Sequence, residues 1–155
     1  EYLGYPDAYL TPSLELRKDI TREIRRHKPD ILITTAPFRT LGQNYGSSHP
    51  DHIAAGEAAL SSVYPTARDR LTFPELLDEG FEPHKVREVW VMSREDADHF
   101  NDISEEDMET ALKALAAHTS QVPPEAIERV RAWKSGNGKA HNMKYAESFR
   151  TFTLR

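Results

Sequence analysis

The chain of 155 residues contains no cysteine, which excludes disulfide scaffolds, thiolate zinc sites and cysteine nucleophiles. Its apolar runs are only a few residues long, too short for a helix that crosses a bilayer. Basic residues are outnumbered, 20 against 25 acidic residues, and the formal charge is -5. A chain with this balance has no general attraction for phosphate backbones or anionic lipids. We therefore expect neither nucleic acid nor a membrane as a partner.

The composition is that of a globular protein, with 38% hydrophobic and 29% charged residues. The length suits one ordinary domain that can bury a core. Neither an internal repeat nor a linker divides the chain, so we expect a single domain over residues 1–155 in the cytoplasm. Because the first residue is Glu1 and not methionine, we expect the native start to lie outside this sequence.

Helical and strand patterns alternate along the chain. Ser13 predicts the N-cap of an amphipathic helix that stops before Pro29, and residues 31–34 are typical of a strand buried on both faces of a parallel sheet. The further predicted elements are a helix from about Pro50, a strand over 86–92, a helix capped by Ser104, a helix over 125–134 that is broken by 136–138, and a short element over 145–154. This order predicts an α/β layered domain in which only two or three strands can be counted.

The segment His49-Pro50-Asp51-His52 is the strongest candidate for chemistry. Two histidines three residues apart at a helix start can project toward the same side, just past the carboxyl end of the preceding strand, where open α/β sheets place their ligands. A neutral imidazole is a good zinc ligand, and Asp51 could orient one ring by accepting its N–H. From the residues alone, the alternative stays open that one histidine caps the helix and the other lies on the surface.

Several segments spread over the chain, in the same order, resemble the LmbE/PIG-L-type N-acetylglucosaminyl deacetylases, which are zinc-dependent. The segments that carry the resemblance are Leu3-Gly4-Tyr5-Pro6-Asp7, Glu15-Leu16-Arg17, Lys28-Pro29-Asp30-Ile31-Leu32, His49-Pro50-Asp51-His52-Ile53-Ala54-Ala55-Gly56, Val86-Arg87-Glu88-Val89-Trp90, His118-Thr119-Ser120-Gln121 and Ala146-Glu147-Ser148-Phe149-Arg150. Their combination is much more specific than any one of them.

The resemblance implies a Rossmann-like three-layer parallel-sheet fold, and zinc-dependent hydrolysis of the acetamide of an N-acetylglucosamine-type conjugate. It implies that His52 is a zinc ligand and that His49, as a cationic imidazole, polarises the amide carbonyl and stabilises the oxyanion. Asp51 is then the residue that orients His49. On the sugar side, the resemblance makes Asp7 a candidate substrate contact, and Tyr45 in the preceding loop is a candidate pocket residue.

One motif of the family has no counterpart in this sequence. It is the N-terminal Ala-His-Pro-Asp-Asp-type segment, which supplies a histidine and an aspartate to the zinc and the aspartate that acts as general base. We therefore expect the chain to be the C-terminal portion of such an enzyme, with the N-terminal strands missing, and to be inactive alone. Such a portion exposes the edge of residues 31–33, so we expect a homo-oligomer or a complementary N-terminal chain to cover it.

Two other hypotheses remain open at this point. One is a degenerate relative that binds a sugar or a partner chain without catalysis, and the other is an unrelated α/β domain. Metal content separates the deacetylase from both, sugar binding that survives chelation favours the degenerate relative, and His52→Ala should abolish zinc binding only in the deacetylase.

Overall fold

The structure is a computed structural model, and it describes residues 1–39, 49–92 and 96–154. The helices are α1 (Leu14–His27), α2 (Pro50–Ser61), α3 (Glu75–Asp78), α4 (Glu105–Ala116) and α5 (Pro124–Lys139). The strands are β1 (Ile31–Thr34), β2 (Glu88–Met92), β3 (His99–Asp102) and β4 (Ala146–Thr153). A turn of π-helix over Ser62–Thr66 follows α2 directly. None of the helices in these ranges is long and apolar enough to cross a membrane.

The four strands form one sheet in the order β1-β2-β4-β3. Strands β1 and β2 are parallel, with Ile31 opposite Glu88 and Thr34 opposite Val91. Strands β3 and β4 are antiparallel, with His99 opposite Phe149. The predicted α/β class is confirmed, but the sheet is mixed and not wholly parallel. Strand β3 escaped prediction because its four residues, His-Phe-Asn-Asp, carry no hydrophobic pattern.

Strand β1 differs from the predicted strand buried on both faces. Leu32 packs against the core and Thr34 is buried, whereas Ile31 and Ile33 are 40% and 56% exposed. The reason is that successive side chains of a strand point to opposite faces, and the described residues cover the face of Leu32 and Thr34 but leave the face of Ile31 and Ile33 partly open. Strand β1 is also the first in the sheet order and has a neighbour on one side within the described residues, whereas the expected cover for this edge stays a prediction.

Residues 1–93 and 151–155 form one compact unit. Its core packs Ile24 of α1 against valines of the π-helical turn and of β2, and the buried members are Ile24, Val63, Ala67, Val86, Val89 and Val91. Helix α1 begins where the sequence predicts, because the Ser13 hydroxyl accepts a hydrogen bond from the Leu16 backbone N–H at 3.1 Å. This unit contains the candidate site.

Residues 94–150 form the second compact unit. Its core is built from Met108 and Leu112 of α4 together with Tyr145, with Ile127 and Val130 of α5 packed against them. The predicted cap of α4 is present, since the Ser104 hydroxyl accepts from the Asp107 N–H at 3.0 Å. The division into two compact units does not decide whether residues 1–155 form a single domain, so that expectation stays a prediction.

The predicted break of α5 at residues 136–138 is wrong, because the helix continues to Lys139. Gly138 serves close packing and not helix termination. A Cβ atom there would lie 2.7 Å from the Met143 carbonyl oxygen and 2.8 Å from the Tyr145 nitrogen. The chain that follows α5 thus returns directly against the helix, and only glycine leaves room for it.

Candidate active site

The start of α2 is held against the chain that leaves β1. Thr35, the residue after β1, donates a short hydrogen bond from its hydroxyl to the backbone carbonyl of His52. One turn along α2, a Cβ atom on Gly56 would lie 2.5 Å from the Thr35 carbonyl oxygen and 3.1 Å from the Pro37 nitrogen. These contacts place the first turn of α2 at the carboxyl end of β1, the position predicted from the sequence.

His49 is the N-cap residue of α2. Its Nδ1 accepts a hydrogen bond from the Asp51 backbone N–H at 3.2 Å, and its backbone carbonyl accepts from the N–H of Ile53 at 3.2 Å. Because Nδ1 is the acceptor, the neutral ring carries its hydrogen on Nε2, which is then a donor. The cationic ring implied by the resemblance would carry hydrogens on both nitrogens and would have to give up this capping bond.

His52 lies one turn beyond His49 on the same side of α2. The two ring centroids are 5.6 Å apart with the planes tilted by 50°. His49 is half-buried and His52 is exposed. The Thr35 hydroxyl bonds to the backbone carbonyl of His52, so this hydrogen bond does not involve the imidazole ring. The structure therefore brings the two predicted histidines together, as their spacing indicated.

Asp51 lies between the histidines but directs its carboxylate to another part of the chain. Its Oδ2 accepts from the Ala8 N–H at 2.7 Å, and its Oδ1 accepts from the Leu10 N–H at 3.2 Å. The bond between residue 51 and the His49 ring is made by the Asp51 backbone instead. The predicted orienting role of Asp51 toward His49 stays a prediction.

The segment of Gly4 to Leu10 carries Asp7 and is held at both ends. Before Asp7, the Tyr5 hydroxyl donates to Asp19 Oδ2 on α1 at 2.8 Å. Partial burial, together with this bond to a carboxylate, raises the pKa of Tyr5 to about 12. After Asp7, the Asp51 carboxylate holds the backbone. Asp7 itself is exposed, as a substrate contact must be.

The described residues do not complete a zinc site around His52. A group of three side chains with ligand atoms within 4.8 Å of one another exists elsewhere, formed by Glu1, Glu23 and His27. Arg26 already pairs with both carboxylates, at 2.8 Å from Glu1 and 2.9 Å from Glu23, and its hydrogen bond holds the pKa of Glu1 below the usual range. This exposed ion-pair cluster contains none of the predicted site residues.

Tyr45 lies outside the described residues, so its predicted place in the pocket stays a prediction. The contacts of Thr35 and Gly56 and the link from Tyr5 to Asp19 were not predicted from the sequence. Gly56 carried a signal in its position inside a helical stretch, where glycine is costly unless close packing requires it. The Tyr5 and Thr35 contacts join distant residues and left no local signal.

Comparison with known proteins supports the resemblance seen in the sequence. Residues 1–63 match the family described as "PIG-L: GlcNAc-PI de-N-acetylase", and this range contains Asp7, His49, Asp51 and His52. A diacetylchitobiose deacetylase of Thermococcus kodakarensis is 29% identical over 152 residues, which is 96% of this chain and 54% of that protein. The predicted resemblance to the PIG-L deacetylases is confirmed.

Solved structures give the same fold. The N,N'-diacetylchitobiose deacetylase of Pyrococcus horikoshii, determined with its inhibitor MPG, matches with a TM-score of 0.83 and 29% identity over 97% of this chain and 56% of that one. The conserved protein TT1542 of Thermus thermophilus matches with a TM-score of 0.78 and 23% identity, over 99% of this chain and 65% of that one. The chain thus spans little more than half the length of the deacetylases that it matches.

Proposed function

We propose that this chain carries part of the active site of a metal-dependent deacetylase. The enzyme would hydrolyse the acetamide of an N-acetylglucosamine-type conjugate, as the similarity of the chain to the PIG-L deacetylases suggests. The observation that carries the proposal is the first turn of α2, where His49 and His52 lie together at the carboxyl end of β1. The names of the similar proteins, a de-N-acetylase family and two diacetylchitobiose deacetylases, support the same class of substrate.

His49 is the residue that we assign to the amide carbonyl. With Nδ1 occupied by the Asp51 N–H, the Nε2–H of the neutral ring is free to donate to a carbonyl oxygen. As the carbonyl carbon is attacked, negative charge grows on that oxygen and this hydrogen bond strengthens. Removal of one such donor commonly lowers kcat by about 10²–10³-fold.

His52 is the residue that we assign to zinc. Its exposed imidazole suits a metal ligand, whereas one histidine falls short of the three protein ligands that a catalytic zinc site needs. When bound, zinc supplies a water whose pKa is lowered to about 7, which is a nucleophile at neutral pH. The remaining ligands and the general base would come from outside the described residues, and we place no step of the reaction on them.

We assign the free edge of β1 to a complementary N-terminal segment. Within the described residues one side of β1 is unpaired, and a further strand of such a segment would pair with it. Ile31 and Ile33 lie on one face of β1 and would be covered by a layer packed on the sheet, whereas a largely apolar groove of about 300 Å³ is lined by Leu32 of the opposite face together with Leu3, Ile20, Ile24 and Pro29. A homo-oligomer is the other arrangement that would cover this face, and sedimentation separates the two by mass.

The test is acetate release from N,N'-diacetylchitobiose. We expect the chain alone to be inactive and the protein that includes the complementary segment to release acetate. In that protein, His49→Ala should lower kcat by about 10²–10³-fold, and His52→Ala should abolish detectable turnover. His84→Ala is a matched control, because His84 makes its ring contact with the Pro29 carbonyl at 2.8 Å and not with the site. Full activity in the His52→Ala protein would overturn the proposal.

A second function has a specific observation in its favour. His49 caps α2 through its Nδ1, and the Asp51 carboxylate accepts from the Ala8 and Leu10 amides, so a non-catalytic relative that binds a sugar or a partner chain would keep the same geometry for structural reasons. Binding of N-acetylglucosamine conjugates that survives chelation, without acetate release from any assembled form, would favour this alternative. The small-molecule substrate class and a cytoplasmic location are predictions common to both functions.

A further inference from the structure

The contacts of the Asp51 carboxylate join the start of α2 to the segment that carries Asp7. Both oxygens are used, one on the Ala8 N–H at 2.7 Å and one on the Leu10 N–H at 3.2 Å. These partners lie 43 and 41 positions away in the sequence. A carboxylate that accepts two backbone N–H groups forms strong, directional bonds and holds a segment in one conformation.

The segment itself has a conformation that needs support. Ala8 has φ +66°, in the left-handed region that alanine rarely adopts. The Tyr9 N–H donates to the Pro6 carbonyl at 3.3 Å, so the chain turns at Asp7 and Ala8. The bond from Tyr5 to Asp19 holds the segment before this turn, and Asp51 holds it after the turn. Asp7 is therefore presented between two anchors.

We propose that Asp51 is a positioning residue that fixes the turn at Asp7 and Ala8, and so places the Asp7 side chain for the substrate. This inference rests on the proposed function for the role of Asp7. It also differs from the role of orienting His49, since the carboxylate reaches the Ala8 and Leu10 amides and the His49 ring is held by a backbone N–H.

The first test measures the turn directly in the chain as it is. Asp51→Asn keeps the size of the side chain but replaces one acceptor oxygen with an NH2 group, so one of the two amide bonds must be lost. We expect hydrogen exchange, followed by NMR, to become about tenfold faster or more at the Ala8 or the Leu10 amide, whichever loses its charge-assisted bond. Asp7→Asn is the matched control. It should leave the protection of both amides unchanged once the rates are corrected for the effect of the new side chain on the intrinsic exchange of its neighbour Ala8.

The second test separates positioning from chemistry in the assembled, active protein. We expect Asp51→Asn to raise KM by about tenfold with kcat changed less than about threefold, since uniform substrate binding is what weakens. In the presence of Asp7→Asn, the further substitution Asp51→Asn should add little to KM, because Asp51 acts through Asp7. A structural role alone would give independent, additive losses.

The two tests distinguish failure of this inference from failure of the proposed function. Unchanged exchange at Ala8 and Leu10 in Asp51→Asn overturns the inference whatever the activity. A fall in kcat at constant KM that disappears in a His49→Ala background also overturns it, since Asp51 would then act on the imidazole. Absence of acetate release from every assembled protein with the unaltered sequence overturns the proposed function, and the exchange rates still decide whether Asp51 holds the turn.

Discussion

Because Gly56 lies against the chain after β1, we expect one added methyl group at this position to lower the stability of the protein markedly. Gly56→Ala would place a Cβ atom 2.5 Å from the Thr35 carbonyl oxygen and 3.1 Å from both Ala36 and Pro37 backbone atoms. All three atoms belong to the backbone, so no side-chain rotation relieves the overlap. Helix α2 or the segment after β1 must move, and with it the Thr35 hydroxyl that holds the His52 carbonyl.

The change in the free energy of unfolding combines one stabilising and two destabilising effects. Alanine in a helix interior is favoured over glycine by about 0.8–1 kcal/mol. Overpacking of a close contact costs about 1–3 kcal/mol, and a lost hydrogen bond costs about 0.5–1.5 kcal/mol. We therefore expect Gly56→Ala to lower the free energy of unfolding by about 0.5–3.7 kcal/mol, although a scale of helix propensity alone predicts a gain.

Urea unfolding followed by tryptophan fluorescence measures the stability of each compact unit separately. The chain has two tryptophans, Trp90 on β2 and Trp133 on α5, so a Trp133→Phe background reports on the unit that contains Gly56. Gly136→Ala in α5 is the matched control, because nothing lies within 4 Å of the added Cβ. It belongs to the other unit, so it is followed through Trp133 in a Trp90→Phe background, and it should stabilise that unit by up to about 1 kcal/mol. If Gly56→Ala were as stable as the unaltered protein, the close approach of α2 to the chain after β1 would be refuted.

The remaining predictions concern single contacts elsewhere. Gly138→Ala, with its Cβ 2.7–2.9 Å from backbone atoms, should destabilise the second unit by about 1–3 kcal/mol in urea unfolding followed through Trp133, and a neutral effect would contradict the packing after α5. Ser13→Ala should cost about 1 kcal/mol through loss of the α1 cap, with Ser13→Asp as the variant that restores stability in the same assay. The pKa of Tyr5 is raised to about 12, so its contribution to stability is present below pH 10 and is lost as the pH rises through 12. An ultraviolet phenolate titration should show one tyrosine ionising late, and Asp19→Asn should bring that ionisation earlier; titration of all tyrosines together near pH 10 would contradict the bond.

The helix starts were predictable because their signals are local. Ser13 and Ser104 accept bonds from residues three positions later, and Pro50 begins α2 after the cap residue His49. A cap depends on a short stretch of chain, so the sequence alone suffices to find it. The proximity of His49 and His52 was predictable for the same reason, since both lie on one helical turn.

The features that escaped prediction depend on distant parts of the chain. The exposure of Ile31 and Ile33 depends on which face of the sheet the rest of the chain covers, and a β-branched run does not reveal this. The extension of α5 through Gly138 depends on the chain that returns at Met143 to Tyr145. Tertiary contact here overrides the local tendency of glycine to end a helix.

The Asp51 carboxylate shows the same limit at the candidate site. Its partners are backbone N–H groups, which every residue except proline carries, so the sequence around residues 8 and 10 gives no sign of them. The resemblance implied a contact with the nearby His49 instead. A side-chain contact inferred from a motif can therefore be replaced by a distant one even where both residues lie within that motif, as His49 and Asp51 do.

Our central proposal is that this chain holds one part of a zinc-dependent site that another segment would complete. The most direct measurement is the intact mass of the protein purified from its source, together with its zinc content. We predict a mass above 17.7 kDa, or a second polypeptide, with about one zinc per assembled site that is lost in His52→Ala. A single chain of 17.7 kDa that contains no zinc and still releases acetate from an N-acetylglucosamine conjugate would contradict the account.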